Sequence, residues 1–488
     1  MTTDNNQPPV DEPQIKSRWR RIVTPIPAPQ SLSELERLRE VEPRSMAGLP
    51  PVVWHEADGF LVRDPYGNQW IDVTSGIVMA NAGHSHPRIA EAIRRASGAK
   101  LLATYAFPQL ARLQLLEKLV AISPIADSKA ILFSAGTEAT ECAMMLMRRH
   151  GRSIHPEKVG IVSFIDSYHG RTLGAWSASS RSRSTDWFDR GTLHHFQIPF
   201  PFDPGAQPDD LYADSNGCRA FEKCLAQLVE QGIGPQHIAG FLLEAVPGWA
   251  TLPMPGGFAR ALETWARAHD VLLCFDEVQA GCGRTGRFFS FEHCGVMPDL
   301  IALGKGLSSS LPVSAVIGRR DLLDDPPVGE MSSTHGGNPV CAAAALANLQ
   351  VLEDEGLVES AARTGELVLA RLRSALVPFA HHLLSIHGPG LFISIHFVHP
   401  ETGLPDASLA EAVVREAVSR GVMMFHTYRA FIKFTPPLNI DPEAALEAAD
   451  VLGECVAAAI EQMSVPLPTY GPSIPSPHIS QHSKVRSS

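Results

Sequence analysis

Between residues 130 and 318 the chain alternates nearly unbroken apolar runs with stretches whose apolar positions recur at helical spacing. The runs AILFS (130–134), VGIVSF (159–164), GFLLEA (240–245), VLLCFD (271–276), LIALG (300–304) and VSAVIG (313–318) predict strands. The periodic stretches 137–150, 257–269, 338–353 and 357–377 predict helices. Strands without polar alternation are buried on both faces, so this order predicts an α/β protein with a mostly parallel sheet covered by helices on either side. After about residue 380 the pattern changes. LFISIHF (391–397) and AFIKFTP (430–436) mix with helices near 408–420 and 441–463, which predicts a smaller α+β domain. Residues 1–30, rich in Pro, Asn and Gln, are expected to form a flexible arm, and the Pro/Ser-rich residues 465–488 a disordered tail. There is no internal repeat.

The totals narrow the class. A chain of 488 residues suits roughly two to four domains. A 44% hydrophobic and 19% charged composition is that of a globular protein, and a net charge of −11 argues against a nucleic-acid surface as its main business. No apolar run is long enough to span a bilayer. The first residues carry Asp4, Asp11 and Glu12 and no apolar signal core, so a cytoplasmic location is expected. The eight cysteines include no C-x-x-C pair and read as small buried residues.

In such a sheet, ligands gather beyond the carboxyl ends of the strands. Three polar features stand there. Lys305, flanked by Gly304 and Gly306, ends the run PDLIALGKGL. Its plain reading is a loop lysine reaching water. A phosphate-binding loop is excluded, because Asp299 stands at the first glycine position and Gly306 follows the lysine. The chemical reading is an amine nucleophile: a lysine in a dry pocket forms a Schiff base with a carbonyl, and the glycines would let a flat ligand approach. Asp276, in VLLCFDE, either caps the next turn or faces a cationic ring nitrogen, as pyridoxal phosphate requires. In SAGTEATE, Gly136 and Thr137 open a helix whose free N–H groups make an anion site, or simply start the helix.

Two further segments are less decided. Tyr168, beside His169 and Gly170, is either a core aromatic or a plate stacked on a ligand ring. Thr334, in MSSTHGGNP, either binds phosphate or makes a turn. His84 and His86 are a pair of a kind zinc can use, but no third ligand has local spacing, so no metal is expected.

Together these residues resemble the class III aminotransferases, the ornithine and 4-aminobutyrate aminotransferase group of fold-type-I pyridoxal-phosphate enzymes. The resemblance runs from about residue 45 to 463 through DVTSGIVMANAGHSHPRIAEAI, SAGTEATE, YHGRT, LLEAVPG, DEVQAGCGRTG, PDLIALGKGL, THGGNP and KFTPPL, in the family's order. It implies a seven-stranded cofactor domain (86–345), a smaller domain from both chain ends (31–85 and 346–464), and a homodimer with shared active sites. Position by position, Lys305 resembles the Schiff-base lysine and Asp276 the partner of the ring nitrogen. Gln279 resembles the contact to the ring hydroxyl. Val278 would lie under one ring face and Tyr168, with His169 beside it, over the other. Gly136 and Thr137 resemble the phosphate cup, completed by Thr334 of the partner subunit. Glu244 resembles an acid near the aspartate, and Arg171 a substrate-carboxylate site.

Four positions depart from the family pattern. Ala135 stands where Ser is usual and Ser314 where Gly is common. Trp249 and Lys433 replace a Glu and an Arg that pair with each other in the ornithine and 4-aminobutyrate enzymes. The resemblance implies transfer of an amino group from an amine or amino acid to a keto acid such as 2-oxoglutarate or pyruvate. A racemase, epimerase, aminomutase or decarboxylase on the same scaffold is the alternative, and a non-catalytic regulator is disfavoured by the intact Lys305 and Asp276.

Overall fold

The computed structural model describes residues 15–179, 190–201 and 214–464. Its large sheet has seven strands, in the order Ser128–Phe133, Ser314–Arg319, Leu300–Leu303, Leu272–Asp276, Ile238–Leu243, Gly160–Phe164 and His195–Ile198. Only Ser314–Arg319 runs against the others. Six of these strands match the apolar runs. The seventh, His195–Ile198, pairs only with Gly160–Phe164 at the sheet edge, and its short HFQI sequence carries two polar residues.

Strands Leu272–Asp276, Leu300–Leu303 and Ile238–Leu243 are buried along their whole length, as their uniform apolarity requires. Helices Gly136–Ile154 and Gly256–Ala268 follow two of the strands and bury one face each. Helices Pro339–Asp354 and Leu357–Leu376 then lead to a three-stranded antiparallel sheet, Leu383–His387, Ile393–Phe397 and Phe431–Phe434. A further sheet joins both ends of the chain. It runs Ile15–Lys16, Arg21–Ile22, Gln69–Asp72, Leu61–Arg63 and Glu56–Asp58, with Val422–Met423 lying parallel to Gln69–Asp72.

The flexible arm expected over residues 1–30 needs correction for its second half. Asn68 Oδ1 accepts the Val23 N–H at 2.8 Å, Arg20 pairs with Glu447 at 2.6 Å, and Trp19 packs edge-on against Phe60. These contacts order residues that composition alone marks as loose. Residues 1–14 and the expected tail at 465–488 lie outside the described residues. All eight cysteines are free thiols, six of them buried.

Candidate active site

The strand ends bearing Asp276 and Lys305 meet the start of helix Gly136–Ile154 at one cavity of about 240 Å³. Lys305 follows strand Leu300–Leu303 after Gly304 and, with φ of +41°, opens a short turn, Lys305–Leu307. A left-handed lysine is held there against its own preference, at a cost of about 1 kcal/mol or more. Its glycine neighbours are not spacers for a flat ligand, contrary to expectation. A Cβ on Gly304 would lie 3.2 Å from Val278 Cγ1, and one on Gly306 would lie 2.4 Å from Asn81 Nδ2. The glycines seat the lysine turn on the protein itself.

Asp276 ends its strand and is 4% exposed. Its Oδ2 lies 2.8 Å from His169 Nδ1, and its Oδ1 accepts the Val278 N–H at 3.0 Å. The carboxylate is therefore fixed by a donor on each oxygen. With its proton on Nδ1, the buried His169 keeps Nε2 as an acceptor, and that atom has no hydrogen-bond partner among the described residues. Glu244 also lines the cavity, but its carboxylate works on the backbone. It accepts the Tyr168 N–H at 3.0 Å and the Gly248 N–H at 3.1 Å, tying the loop of Tyr168 to the loop after Ile238–Leu243.

At the helix start, Glu138 folds back to accept the N–H groups of Ser134 (3.0 Å) and Ala135 (2.8 Å). Those two donors are used, which leaves Gly136 and Thr137 as the amide donors of the first turn. Thr137 Oγ1 lies 2.6 Å from Thr172 Oγ1. Gly170, with φ of +146°, passes so close that a Cβ there would sit 2.3 Å from Thr137 Oγ1. Only glycine fits. Val278 presses on Gly136 in turn, since a Cβ on Gly136 would meet its Cγ1 at 2.6 Å.

The remaining candidates divide. Arg171 lines the mouth, its guanidinium carbon 5.3 Å from the Tyr168 ring centroid and its Nε 3.3 Å from the Tyr168 hydroxyl. Gln279 lines the cavity, and behind it the buried Lys433 donates to Gln279 Oε1 at 3.3 Å. Trp249 does not line it. Its indole packs edge-on against Phe200, with centroids 6.0 Å apart, on the main core. Thr334 is exposed and lies outside the cavity of its own chain. His84 and His86 diverge, one to Asp72 at 2.7 Å and the other to Glu355 at 3.1 Å.

Three residues carry the site without having been given a role from the sequence. Asn81 fills the space over Gly306 and donates to the Cys282 carbonyl at 2.9 Å. Gly170 admits Thr137. Glu277, entirely buried beside Asp276, accepts Ser290 N–H (2.7 Å), Ser290 hydroxyl (2.6 Å) and Phe291 N–H (3.0 Å). Burial pushes its carboxyl up to about 7. Asn81 lies within a quoted motif, but its partner is more than 200 residues away and leaves no local trace.

The model of the class-III aminotransferase family matches residues 44–456. The 4-aminobutyrate aminotransferase of Mycobacterium leprae (strain TN) is 32% identical over 444 residues, covering 89% of this chain and 97% of its own. The alanine/serine racemase of Pyrococcus horikoshii is 29% identical over 456 residues, covering 91% and 94%. A structure of ornithine aminotransferase from Toxoplasma gondii, with partial occupancy of pyridoxal phosphate at its active site, superposes with a TM-score of 0.74 at 27% identity, covering 88% of this chain and 95% of that one. The chain belongs to the class-III aminotransferase family.

Proposed function

We propose that this protein is a pyridoxal-phosphate-dependent aminotransferase that moves an amino group from an amine or amino acid to a keto acid, 2-oxoglutarate or pyruvate, through Lys305. The observation that carries the reading is the convergence on one cavity of the Lys305 turn, the doubly held Asp276 carboxylate and the amide donors of Gly136 and Thr137. This donor set fits the cofactor: an amine for its aldehyde, an anion for its ring nitrogen, and a helix start for its phosphate. Bound pyridoxal phosphate supplies an electron sink that acidifies the α-carbon of an attached amine.

The chain's own residues do the rest. Gly136 and Thr137 would bind the phosphate, with Thr334 of the partner subunit. Asp276, aimed by His169 and the Val278 N–H, would hold the ring nitrogen protonated. Val278 and Tyr168 would enclose the ring, with His169 beside Tyr168, and Gln279 would reach its hydroxyl. Glu244 would keep Tyr168 in place through its backbone bond. Lys305 would hold the cofactor covalently. Its Nζ would also be the group that takes the proton from the substrate α-carbon and returns it later in the turnover. Arg171 at the mouth and Lys433 behind Gln279 would attract substrate carboxylates. Lys433 does so as a point charge, without the bidentate fork of an arginine. We place the enzyme in the cytoplasm as a homodimer; no helix among the described residues is long and apolar enough to cross a membrane.

The racemase from Pyrococcus horikoshii gives a second reading some weight, because racemisation begins with the same α-carbon deprotonation. Incubation of the purified protein with a panel of amines, with and without 2-oxoglutarate or pyruvate, separates the two. A transaminase turns over only with the keto acid and yields a new carbonyl compound. Inversion of an amino acid without any keto acid would establish the second reading instead. Within the panel, the Lys433 replacement favours a donor other than ornithine or 4-aminobutyrate. A kcat/KM for either of those two about tenfold above every other donor, ~1.4 kcal/mol, would overturn that preference.

A further inference from the structure

Ala135, at the N-cap of helix Gly136–Ile154, has no hydroxyl to offer an anion. A hydroxyl nevertheless reaches this turn from another strand. Ser314, which opens the antiparallel strand Ser314–Arg319 and pairs with Phe133, is fully buried. Its Oγ donates to the Ala135 carbonyl at 2.7 Å. Its Cβ also stands 3.6 Å from where a Cβ on Gly304 would be, beside the residue that precedes Lys305.

The Ala135 carbonyl is already satisfied. It accepts the N–H groups of Glu138 at 3.0 Å and Ala139 at 3.3 Å. The Ser314 hydroxyl is therefore not needed to relieve a stranded acceptor, and its effect is directional. The Ala135 carbonyl and the Gly136 N–H belong to one planar trans amide and point opposite ways. Holding the oxygen from the strand side turns the N–H towards the cavity. The bond also polarises the amide, which strengthens the N–H as a donor. Because Glu138 consumes the N–H groups of Ser134 and Ala135, the Gly136 N–H is one of only two amide donors left in this turn.

We propose that Ser314 is a positioning residue for phosphate recognition: by holding the Ala135 carbonyl, it aims the Gly136 N–H at the cofactor's phosphate. This rests on the cofactor reading above. A phosphate-free analogue separates the two. The full-length protein, freed of cofactor, is titrated with pyridoxal phosphate and with pyridoxal, followed by absorbance. Ser314→Ala should raise the Kd for pyridoxal phosphate about three- to tenfold, the range for one lost hydrogen bond, and leave that for pyridoxal within about twofold. Ser314→Thr, which keeps the hydroxyl, should stay near the parent. Ser314→Cys, which keeps the volume but donates weakly, should resemble the alanine variant. Unchanged pyridoxal phosphate affinity in Ser314→Ala would overturn the proposal. So would an equal loss for both ligands, which marks a merely structural role. A parent protein that binds neither ligand sinks the cofactor reading itself, and this inference with it.

Discussion

Asp276 shows how one side chain is made ready for a task. A buried carboxylate needs donors, and this one has one on each oxygen, from His169 and from the Val278 backbone. Asp276→Asn keeps the shape and removes the charge that would hold a ring nitrogen protonated. The expected result is a loss in kcat of about 10²-fold or more, ~2.7 kcal/mol of barrier. A loss below about threefold in steady-state assays would mean that Asp276 does not face the ring. Lys305, Asp276 and Gly136 were legible in sequence because each interrupts an apolar strand at the end where ligands gather. Ser314 and Asn81 were not legible in role, since what matters is a contact across the fold. The flanking glycines were legible in position but not in purpose. They accommodate Val278 and Asn81, and no count of residue types distinguishes that from room for a ligand.

Elements built from long apolar runs were legible, and those held by their neighbours were not. The buried central strands fall where the runs lie, whereas His195–Ile198 and the two-residue strands near the N-terminus exist through pairing. The small three-stranded sheet carries a feature visible only in register: His387, Ser394 and Lys433 face one another across the three strands. His396 stacks between His387 (5.3 Å) and Phe431 (5.2 Å). Burial drives His387 down to about 4, and burial with His387 and Lys433 nearby drives His396 down to about 3. Both are neutral when folded and protonate more readily when unfolded. The stability this represents is fully present above pH about 6.5 and is lost as the pH falls towards about 4 and 3. At pH 5 each histidine should cost about 2 kcal/mol relative to neutral pH. His396→Phe, which keeps the stack on Phe431, should flatten the fall in urea-unfolding free energy between pH 7 and 5 by about that amount. An unchanged slope would show that His396 is already protonated in the folded protein.

At the scale of the whole molecule, both chain ends build one sheet, since Val422–Met423 lies beside Gln69–Asp72. That pairing is beyond local pattern, and only the family resemblance pointed to it. The fully buried Arg284 joins the same parts, donating to Ser75 Oγ, Asn81 Oδ1 and the carbonyls of Leu391 and Pro436. Thr334 lies outside its own chain's cavity, and the helix Leu32–Val41 buries none of its residues in a single chain. A second copy would meet both facts. Sedimentation should therefore find a dimer, and Thr334→Ala should weaken pyridoxal phosphate more than pyridoxal; a fully active monomer on dilution would refute shared sites. Whether Lys305 carries pyridoxal phosphate is decided by reducing the purified protein with borohydride and mapping its peptides by mass. A phosphopyridoxyl group is expected on Lys305 and on no other lysine. A label on a different lysine, or none in a protein that turns over amines, would contradict it.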